Sequence, residues 1–245
     1  MIRVITKTQI NRLGERLRGG ELTADDIKLL DLYRRGFRTE YETIIHVLRD
    51  ELTLVATGRP AKSTNSIVEK LQREKSRLAT IQDIAGCRIV VPDCIEQERV
   101  LAALSLKFPS ARTIDRRIKP SNGYRAVHFV VEINEKPIEI QIRTILQHMW
   151  AELSERLADI DRHIKYGGGP DNIREILDDM SDRIREYEEL ELWNAPEPST
   201  DEERAQLQHL LQKTQDIKES LKSNLADFIA VLDREDEEDS LEGAK

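Results

Sequence analysis

The sequence predicts an α+β fold in which a mixed, largely antiparallel β-sheet is flanked by helices, with helical extensions at both ends of the chain. Apolar residues recur at helical spacing near both ends, and short runs of strand-forming residues lie between them. One of these runs, Pro137–Arg143, alternates strictly between apolar and polar side chains. This combination indicates a central sheet supported by helices.

The N-terminal part of the chain predicts helices separated by glycine and proline signals. Thr23 is a good N-cap residue and begins a helical apolar period that continues to about Leu52. The expected elements are a short helix at Thr6–Arg18 stopped by Gly19-Gly20, the long helix to Leu52, an unstructured link ending at Arg59-Pro60, and a helix at Thr64–Arg77.

The middle of the chain contains the strand signals. The predicted strands are Cys87–Val91, Thr113–Ile118, Tyr124–Ile133 and Ile138–Arg143, with an amphipathic helix near Ile95–Phe108 after the first. Asn122-Gly123 is a turn signal, and Asn134–Pro137 can close a hairpin between the last two strands. The chain then becomes helical again through about Leu157.

The C-terminal part predicts two more helices, from about Asn172 to Trp193 and from about Asp201 to Leu232. The last helix has one apolar stripe, which suits packing either on the domain or on another subunit as a homo-oligomer. The expected domain boundaries give N-terminal helices over 1–58, a core over 59–170, C-terminal helices over 171–235, and an acidic disordered tail over 236–245.

Composition and sequence pattern argue against several classes of protein. The chain of 245 residues has a formal net charge of −8, which weighs mildly against broad nucleic-acid binding. No run of apolar residues is long enough for a membrane span, and no signal peptide is evident, so we expect a cytoplasmic protein. The two cysteines, Cys87 and Cys94, lack a metal-binding spacing and are expected to be reduced thiols.

Polar side chains along the last two predicted strands indicate a functional site. Glu139, Gln141 and Arg143 share one face of the alternating strand, while Tyr124 and His128 share a face of the strand before it. A carboxylate, an amide and a guanidinium in register are typical of a site for a phosphorylated ligand and its metal.

Several ordered motifs resemble the synthetase domain of the RelA/SpoT family, whose enzymes make the alarmone (p)ppGpp. The motifs are Asp83–Arg88, Asn122–His128, Glu139–Thr144 and Trp150–Glu152, and the resemblance runs from about Arg59 to Tyr166. It implies a nucleotidyltransferase-like fold and transfer of pyrophosphate from ATP to the ribose 3′-hydroxyl of GDP or GTP. Mg²⁺ is the implied cofactor.

The resemblance also implies a role for each matching residue. Asp83 and Glu139 are expected to be catalytic and to bind Mg²⁺, with Glu139 also activating the attacking hydroxyl. The residues implied for ATP binding are Arg59, Lys62, Ser66, Lys70 and Arg88. Those implied for the acceptor nucleotide are Lys119, Asn122, Tyr124, His128, Gln141 and Arg143. By the resemblance, Tyr124 is expected to stack on the acceptor base, a contact that reads purine shape more than identity.

Plainer interpretations exist for several of these residues when the family motifs are set aside. Two isolated acids are usually solvated, and the basic face formed by Lys70, Arg73 and Arg77 can be a solvated helix face. Arg88 can form a buried salt bridge, and a lone tyrosine or histidine is more often structural.

The chain departs from the family pattern in two places. The spacing between Arg59 and Lys62 is one residue longer than in the family, so Lys62 and Lys70 keep register with Ser66 while Arg59 does not. After Trp150–Leu153 the family often has Glu-His, whereas this chain has Ser154-Glu155. No His-Asp dipeptide marks a hydrolase domain.

Two other functions remain open at this stage. The same chemistry can act on the 3′ end of tRNA or on an adenosine nucleotide, which would make the protein a toxin with an antitoxin partner. Alternatively, the chain can be a catalytically inactive nucleotide sensor or partner-binding module.

Overall fold

Among the residues that the structure describes, five strands form one sheet in the order β1-β2-β5-β4-β3. This computed structural model describes residues 5–20, 22–193, 197–198 and 200–242. The strands are β1 at Ala56–Arg59, β2 at Ala85–Val91, β3 at Arg112–Asp115, β4 at Val127–Ile133 and β5 at Lys136–Thr144. Helices precede, interrupt and follow them along the chain. The predicted α+β class with a mixed sheet is confirmed.

The helices occupy both ends of the chain and the segments between strands. They are α1 at Lys7–Gly19, α2 at Ala24–Arg35, α3 at Arg38–His46, α4 at Thr64–Glu74, α5 at Cys94–Lys107, α6 at Ile145–Ile160, α7 at Asp171–Leu192 and α8 at Asp201–Glu242. Shorter turns are a π-helical turn at Val47–Glu51 and 3₁₀ turns at Leu78–Thr80 and Ile164–Tyr166.

The first two helices begin with reciprocal capping. Thr6 caps α1 and Thr23 caps α2, and each cap exchanges hydrogen bonds with the residue three positions later. The prediction that a single helix continues to Leu52 is wrong, because the chain breaks at Gly36. The N–H of the next residue, Phe37, bonds to the Arg34 carbonyl three residues back, so the i→i−4 pattern stops there, and glycine is a poor residue for continuing a helix. The break precedes Phe37, whose side chain is buried.

The link before Pro60 contains a strand that the sequence analysis does not predict. β1 pairs antiparallel with β2, with Gly58 opposite Cys87 and Arg59 opposite Gly86. A Cβ atom at Gly58 would lie 2.4 Å from the Gly86 carbonyl oxygen, so the backbones approach too closely for a side chain. Hydrogen bonding to β2 therefore orders a segment expected to be unstructured.

The predicted strands on either side of the Asn122-Gly123 turn are too long. The third strand ends at Asp115, whose carboxylate accepts a hydrogen bond from the Arg117 N–H at 2.9 Å and so closes a turn. The fourth begins only at Val127. Tyr124 lies in the turn, where its backbone pairs with that of Ser121.

The alternation of β5 is confirmed. Ile138, Ile140 and Ile142 are fully buried on one face. On the other face, Glu139 and Arg143 are only 8% and 3% exposed, so this polar face is not a solvated surface. Buried charged groups require partners, which directs attention to this strand.

The chain forms two compact units, which are described separately. The first comprises Met1–Ile89, Ala103–Ile114 and His128–Gln141, and the second comprises Val90–Ala102, Asp115–Val127 and Ile142–Lys245. The boundaries expected from the sequence, after residues 58, 170 and 235, stay predictions.

The core of the second unit lies among α6, α7 and α8. Leu221 and Leu225 of α8 are 7% and 1% exposed and join this core, so part of the predicted apolar stripe packs within the chain itself. The backbone of α8 is helical to Glu242, whereas a disordered tail was expected from residue 236. Extending an existing helix costs less than nucleating one, and glutamate favours helices. Residues 243–245 lie outside the described residues.

Candidate active site

Asp83 lies just before β2 and is held by two lysines of the first unit. Its two carboxylate oxygens accept hydrogen bonds from Lys62 Nζ at 2.7 Å and from Lys70 Nζ at 2.8 Å. Lys62 is fixed by its own backbone N–H, which donates to the Ile84 carbonyl at 2.6 Å. Lys70 lies on α4, whose N-terminus is capped by Ser63.

The lysines keep the Asp83 carboxylate ionised. Burial by itself raises the pKa of this group, but the charges and hydrogen bonds of Lys62 and Lys70 outweigh that effect and lower the pKa to about 2. The three side chains are each about one fifth exposed, so they are accessible to a small ligand. One carboxylate with two ammonium groups is a suitable environment for phosphate oxygens and a hard cation.

Glu139 lies on β5 between two hydrogen-bonding partners. Its Oε1 lies 2.9 Å from His128 Nδ1, and its Oε2 accepts a hydrogen bond from Gln141 Nε2 at 2.8 Å. Burial raises the pKa of this carboxyl, and the interactions with His128 and Gln141 more than offset that increase, so the pKa is lowered overall. Glu139 is therefore an oriented carboxylate that is ionised at neutral pH.

The two carboxylates lie near enough to interact. The negative charge of Asp83 opposes ionisation of Glu139, although its pKa remains lowered. Two ionised oxygen ligands fit Mg²⁺, which prefers carboxylates together with water and substrate phosphates. The described residues contain no group of three or more His, Cys, Asp and Glu side chains that could hold a metal ion. A cation held by Asp83 and Glu139 would thus take further oxygen ligands from a phosphorylated substrate.

The other residues expected to bind ATP lie on β1, β2 and α4 of the same unit. Arg59 is exposed at the end of β1, opposite Gly86. Arg88 lies on β2, partly exposed and opposite Thr57. The Ser66 hydroxyl lies 2.7 Å from that of the capping residue Ser63, at the N-terminus of α4.

The second unit holds the tyrosine expected to contact the acceptor. Arg143 Nη2 donates a hydrogen bond to the Tyr124 hydroxyl at 3.0 Å, and its guanidinium carbon lies 5.0 Å from the centre of the Tyr124 ring. This cation–π contact fixes the ring, which is partly buried against the α6–α7–α8 core. Lys119 and Asn122 are exposed on the chain that leads into the same turn.

Three residues around this turn have structural contacts that the sequence analysis does not predict. All three are buried. Ser181 donates a hydrogen bond to the Gly123 carbonyl in the turn, and Glu188 accepts one from Arg125, which follows Tyr124. Ser181 and Glu188 lie on α7, far from the turn in sequence, so no local pattern could have identified them.

Comparison with known proteins places the chain in a family. The model of the region found in RelA/SpoT proteins matches residues 58–168. The GTP pyrophosphokinase YjbM of Bacillus subtilis is 31% identical over 181 residues, which are 66% of this chain and 80% of that protein. The chain belongs to the RelA/SpoT family. The matched region contains every residue proposed above for the candidate site.

Other relatives of this RelA/SpoT family member define how far the similarity extends. An uncharacterized protein of Mycobacterium tuberculosis is 41% identical over 125 residues, which are 49% of this chain and 45% of that protein. The chain thus spans about half the length of this curated relative. The crystal structure of small alarmone synthetase 2 from Bacillus subtilis superposes with a TM-score of 0.51 at 25% identity, covering 68% of this chain and 96% of that one.

Within the described ranges, no helix is both long and apolar enough to cross a membrane.

Proposed function

We propose that this RelA/SpoT family member transfers the β,γ-pyrophosphate of ATP to the ribose 3′-hydroxyl of GDP or GTP, forming (p)ppGpp and AMP. One observation carries the proposal: the Asp83 carboxylate accepts hydrogen bonds from two lysines, and the Glu139 carboxylate, oriented by His128 and Gln141, interacts electrostatically with it. The names of the relatives YjbM and small alarmone synthetase 2 support the same reaction class.

The proposed ATP-binding residues are in the first unit. Lys62 and Lys70 transfer their hydrogen bonds from Asp83 to phosphate oxygens when ATP binds, which leaves the Asp83 carboxylate available as a ligand. Arg59, Arg88 and Ser66 complete the proposed set. Phosphoryl transfer depends mainly on positioning and charge neutralisation, and these cations supply both.

Glu139 is the proposed base. Its carboxylate accepts the proton of the 3′-hydroxyl as that oxygen attacks the β-phosphorus of ATP. The bond between the β-phosphorus and the oxygen bridging it to the α-phosphorus breaks, and AMP leaves with that oxygen and its electron pair. Gln141 and His128 hold the carboxylate in place. Mg²⁺ bound by Asp83 and Glu139 would neutralise charge on the phosphate oxygens.

The acceptor nucleotide is proposed to bind at the turn that holds Tyr124. Tyr124 supplies the stacking surface for the purine base, and Arg143 holds the ring through its hydroxyl. Lys119 and Asn122 are proposed to contact acceptor phosphates. Base stacking on an aromatic ring contributes about 1–3 kcal/mol.

The test of this function follows labelled phosphate from ATP. Protein, Mg²⁺ and γ-labelled ATP are incubated separately with GDP, GTP, AMP or deacylated tRNA, and AMP release is measured in parallel. We expect label in GDP or GTP, with one AMP formed for each label transferred. Label in tRNA or in an adenosine nucleotide would replace the proposed acceptor, and absence of transfer to every acceptor would refute the reaction.

The Glu139→Gln variant tests the mechanism. We expect the variant to fold and to lose at least about 100-fold in turnover, because the amide cannot accept the proton. Glu132→Gln is the matched control, since Glu132 is an exposed residue of β4. Turnover by the Glu139→Gln variant close to that of the control would exclude Glu139 as the base.

A further inference from the structure

We infer that α7 positions the acceptor-binding turn, with Ser181 and Glu188 as positioning residues for Tyr124. The inference rests on the proposed function in one respect, namely that Tyr124 contacts the acceptor nucleotide. α7 spans Asp171–Leu192, beyond the part of the chain that matches the family region.

The first contact fixes the residue before Tyr124. Ser181 Oγ donates a hydrogen bond to the Gly123 carbonyl at 2.7 Å. Gly123 has a φ of +79°, and a Cβ atom there would lie 2.6 Å from the Trp150 ring. Trp150 in turn donates through its indole N–H to the Leu177 carbonyl of α7 at 2.9 Å. The turn is therefore confined by the indole and tied to α7.

The second contact fixes the residue after Tyr124. Arg125 is 6% exposed, and its Nε and Nη2 donate to Glu188 Oε2 at 3.1 and 2.7 Å. A third nitrogen of the same guanidinium, Nη1, donates to the Arg117 carbonyl at 3.0 Å. Arg125 thus joins the chain entering the turn, the chain leaving it, and α7.

Glu188 is itself held by a neighbouring side chain. Its Oε1 accepts a hydrogen bond from Gln147 Nε2 at 2.6 Å, so both carboxylate oxygens are occupied. A buried ion pair seldom adds net stability, because desolvation offsets the attraction between the charges. Here the Arg125–Glu188 ion pair fixes geometry, because it holds the backbone of the turn in one conformation.

These contacts act on Tyr124 from both sides. Hydrogen bonds fix Gly123 and Arg125. The Tyr124 N–H also donates to the Ser121 carbonyl at 3.1 Å, and the Ser121 N–H donates to the Tyr124 carbonyl at 3.3 Å. The Cα atom of Tyr124 and the direction of its side chain are thereby set before any ligand binds. A preorganised stacking surface binds more tightly, because less ordering is required on binding.

The experiment measures amide hydrogen exchange in the turn and the affinity for each nucleotide. Ser181→Ala removes one hydrogen bond and little volume. We expect faster amide exchange at residues 121–125 and a dissociation constant for GDP raised about three- to tenfold, with ATP binding within about twofold of wild type. Ser154→Ala is the control, because Ser154 on α6 is buried to a similar degree, 8% against 6%.

A second variant, Glu188→Gln, tests the other contact between α7 and the turn. Glu188→Gln keeps the shape and one acceptor oxygen but removes the charge opposite Arg125, and we expect the same selective loss of GDP binding. Its control is Glu189→Gln, at an exposed neighbour paired with Arg185. Equal loss of ATP and GDP binding, or unchanged exchange at the turn, would overturn the inference.

Tyr124→Ala separates failure of this inference from failure of the proposed function. Should Tyr124→Ala weaken GDP binding while Ser181→Ala and Glu188→Gln do not, only the positioning role is wrong. Should wild-type protein not bind GDP, or Tyr124→Ala leave binding unchanged, the acceptor assignment fails and the inference fails with it.

Discussion

At the residue scale, opposite effects of burial and charge decide which groups are reactive. Asp83 and Glu139 are enclosed enough for burial to raise their pKa values, yet cationic and hydrogen-bonding neighbours reverse the shift. Cys87 on β2 lacks such compensation. Burial, reinforced by the charge of Glu139, raises the pKa of its thiol to about 12. The two carboxylates are therefore anions at neutral pH, while Cys87 stays a protonated packing residue.

His128 provides a prediction that separates two roles. The family resemblance assigns it to the acceptor, whereas its Nδ1 lies 2.9 Å from Glu139. If His128 orients Glu139, His128→Asn lowers kcat about 10- to 100-fold and leaves the KM for GDP nearly unchanged. Steady-state kinetics with GDP as the varied substrate measures both constants.

The control for this substitution is His46→Asn, at an exposed histidine paired with Asp50 on the surface of the first unit. A raised KM for GDP with unchanged kcat would instead support direct acceptor contact by His128.

The candidate site could be predicted from the sequence only in part. Strand alternation placed Glu139 and Gln141 on one face, and the Gln141–Glu139 hydrogen bond is consistent with that register. The family motifs supplied Asp83 and its lysines. The local sequence around Lys62 and Lys70 does not predict that both lysines donate hydrogen bonds to Asp83. These bonds depend on tertiary packing, since Asp83 lies 21 and 13 residues further along the chain.

At the element scale, the start of α2 depends on the ionisation of Asp26. Hydrogen bonds from Arg16 lower the pKa of the Asp26 carboxyl to about 2, and Thr23 of the capping box adds to the effect. A carboxyl with a lowered folded-state pKa stabilises the fold above its unfolded pKa of about 3.9. That contribution is lost as the pH falls from about 4 towards 2.

Asp26→Asn should therefore destabilise the protein at pH 7 and have a progressively smaller effect as the pH falls below 4. Urea denaturation of wild type and variant over that range measures the difference. Asp25→Asn is the control, since the Asp25 side chain is 92% exposed. A difference that stays constant down to pH 3 would exclude ionisation of Asp26 as its source.

The edge strand β1 depends on the absence of a side chain at Gly58. In Gly58→Ala the new methyl group would lie 2.4 Å from the Gly86 oxygen and 2.6 Å from Cys87 Cα. Because these are backbone contacts, we expect a loss of about 1–3 kcal/mol in the free energy of unfolding. Gly19→Ala is the control, as a Cβ there would have no atom within 4 Å apart from its chain neighbours and the backbone of its own helix. Equal stability of the two variants would contradict the close approach of β1 and β2.

The sequence predicts helix starts well, and it predicts poorly the elements that depend on strand pairing or on tertiary packing. The helix starts predicted at Thr6 and after the N-cap residue Thr23 agree with α1 and α2. β1 has only four residues, and its order comes from β2, which is distant in sequence. The break at Gly36 is hidden in the sequence, because the apolar period continues across it through the buried Phe37.

At the scale of the whole molecule, a fold of this size has a small margin of stability. Domains are typically stable by only about 5–15 kcal/mol, so one large cavity removes a substantial fraction. α8 has two kinds of leucine. Leu225 is buried at 1% exposure in the α6–α7–α8 core, whereas Leu211 on the same helix is 61% exposed. The apolar stripe is thus divided between internal packing and exposed surface.

This division gives a prediction with an internal control. Leu225→Ala should reduce the free energy of unfolding by about 2–5 kcal/mol, through lost burial and the cavity left behind. Leu211→Ala makes the same chemical change on the same helix and should alter stability by no more than about 0.5 kcal/mol. Urea denaturation at one protein concentration measures both. If the two variants lost similar stability, the exposed half of α8 would also be covered in solution, and a change in molar mass on Leu211→Lys would show that a second copy covers it.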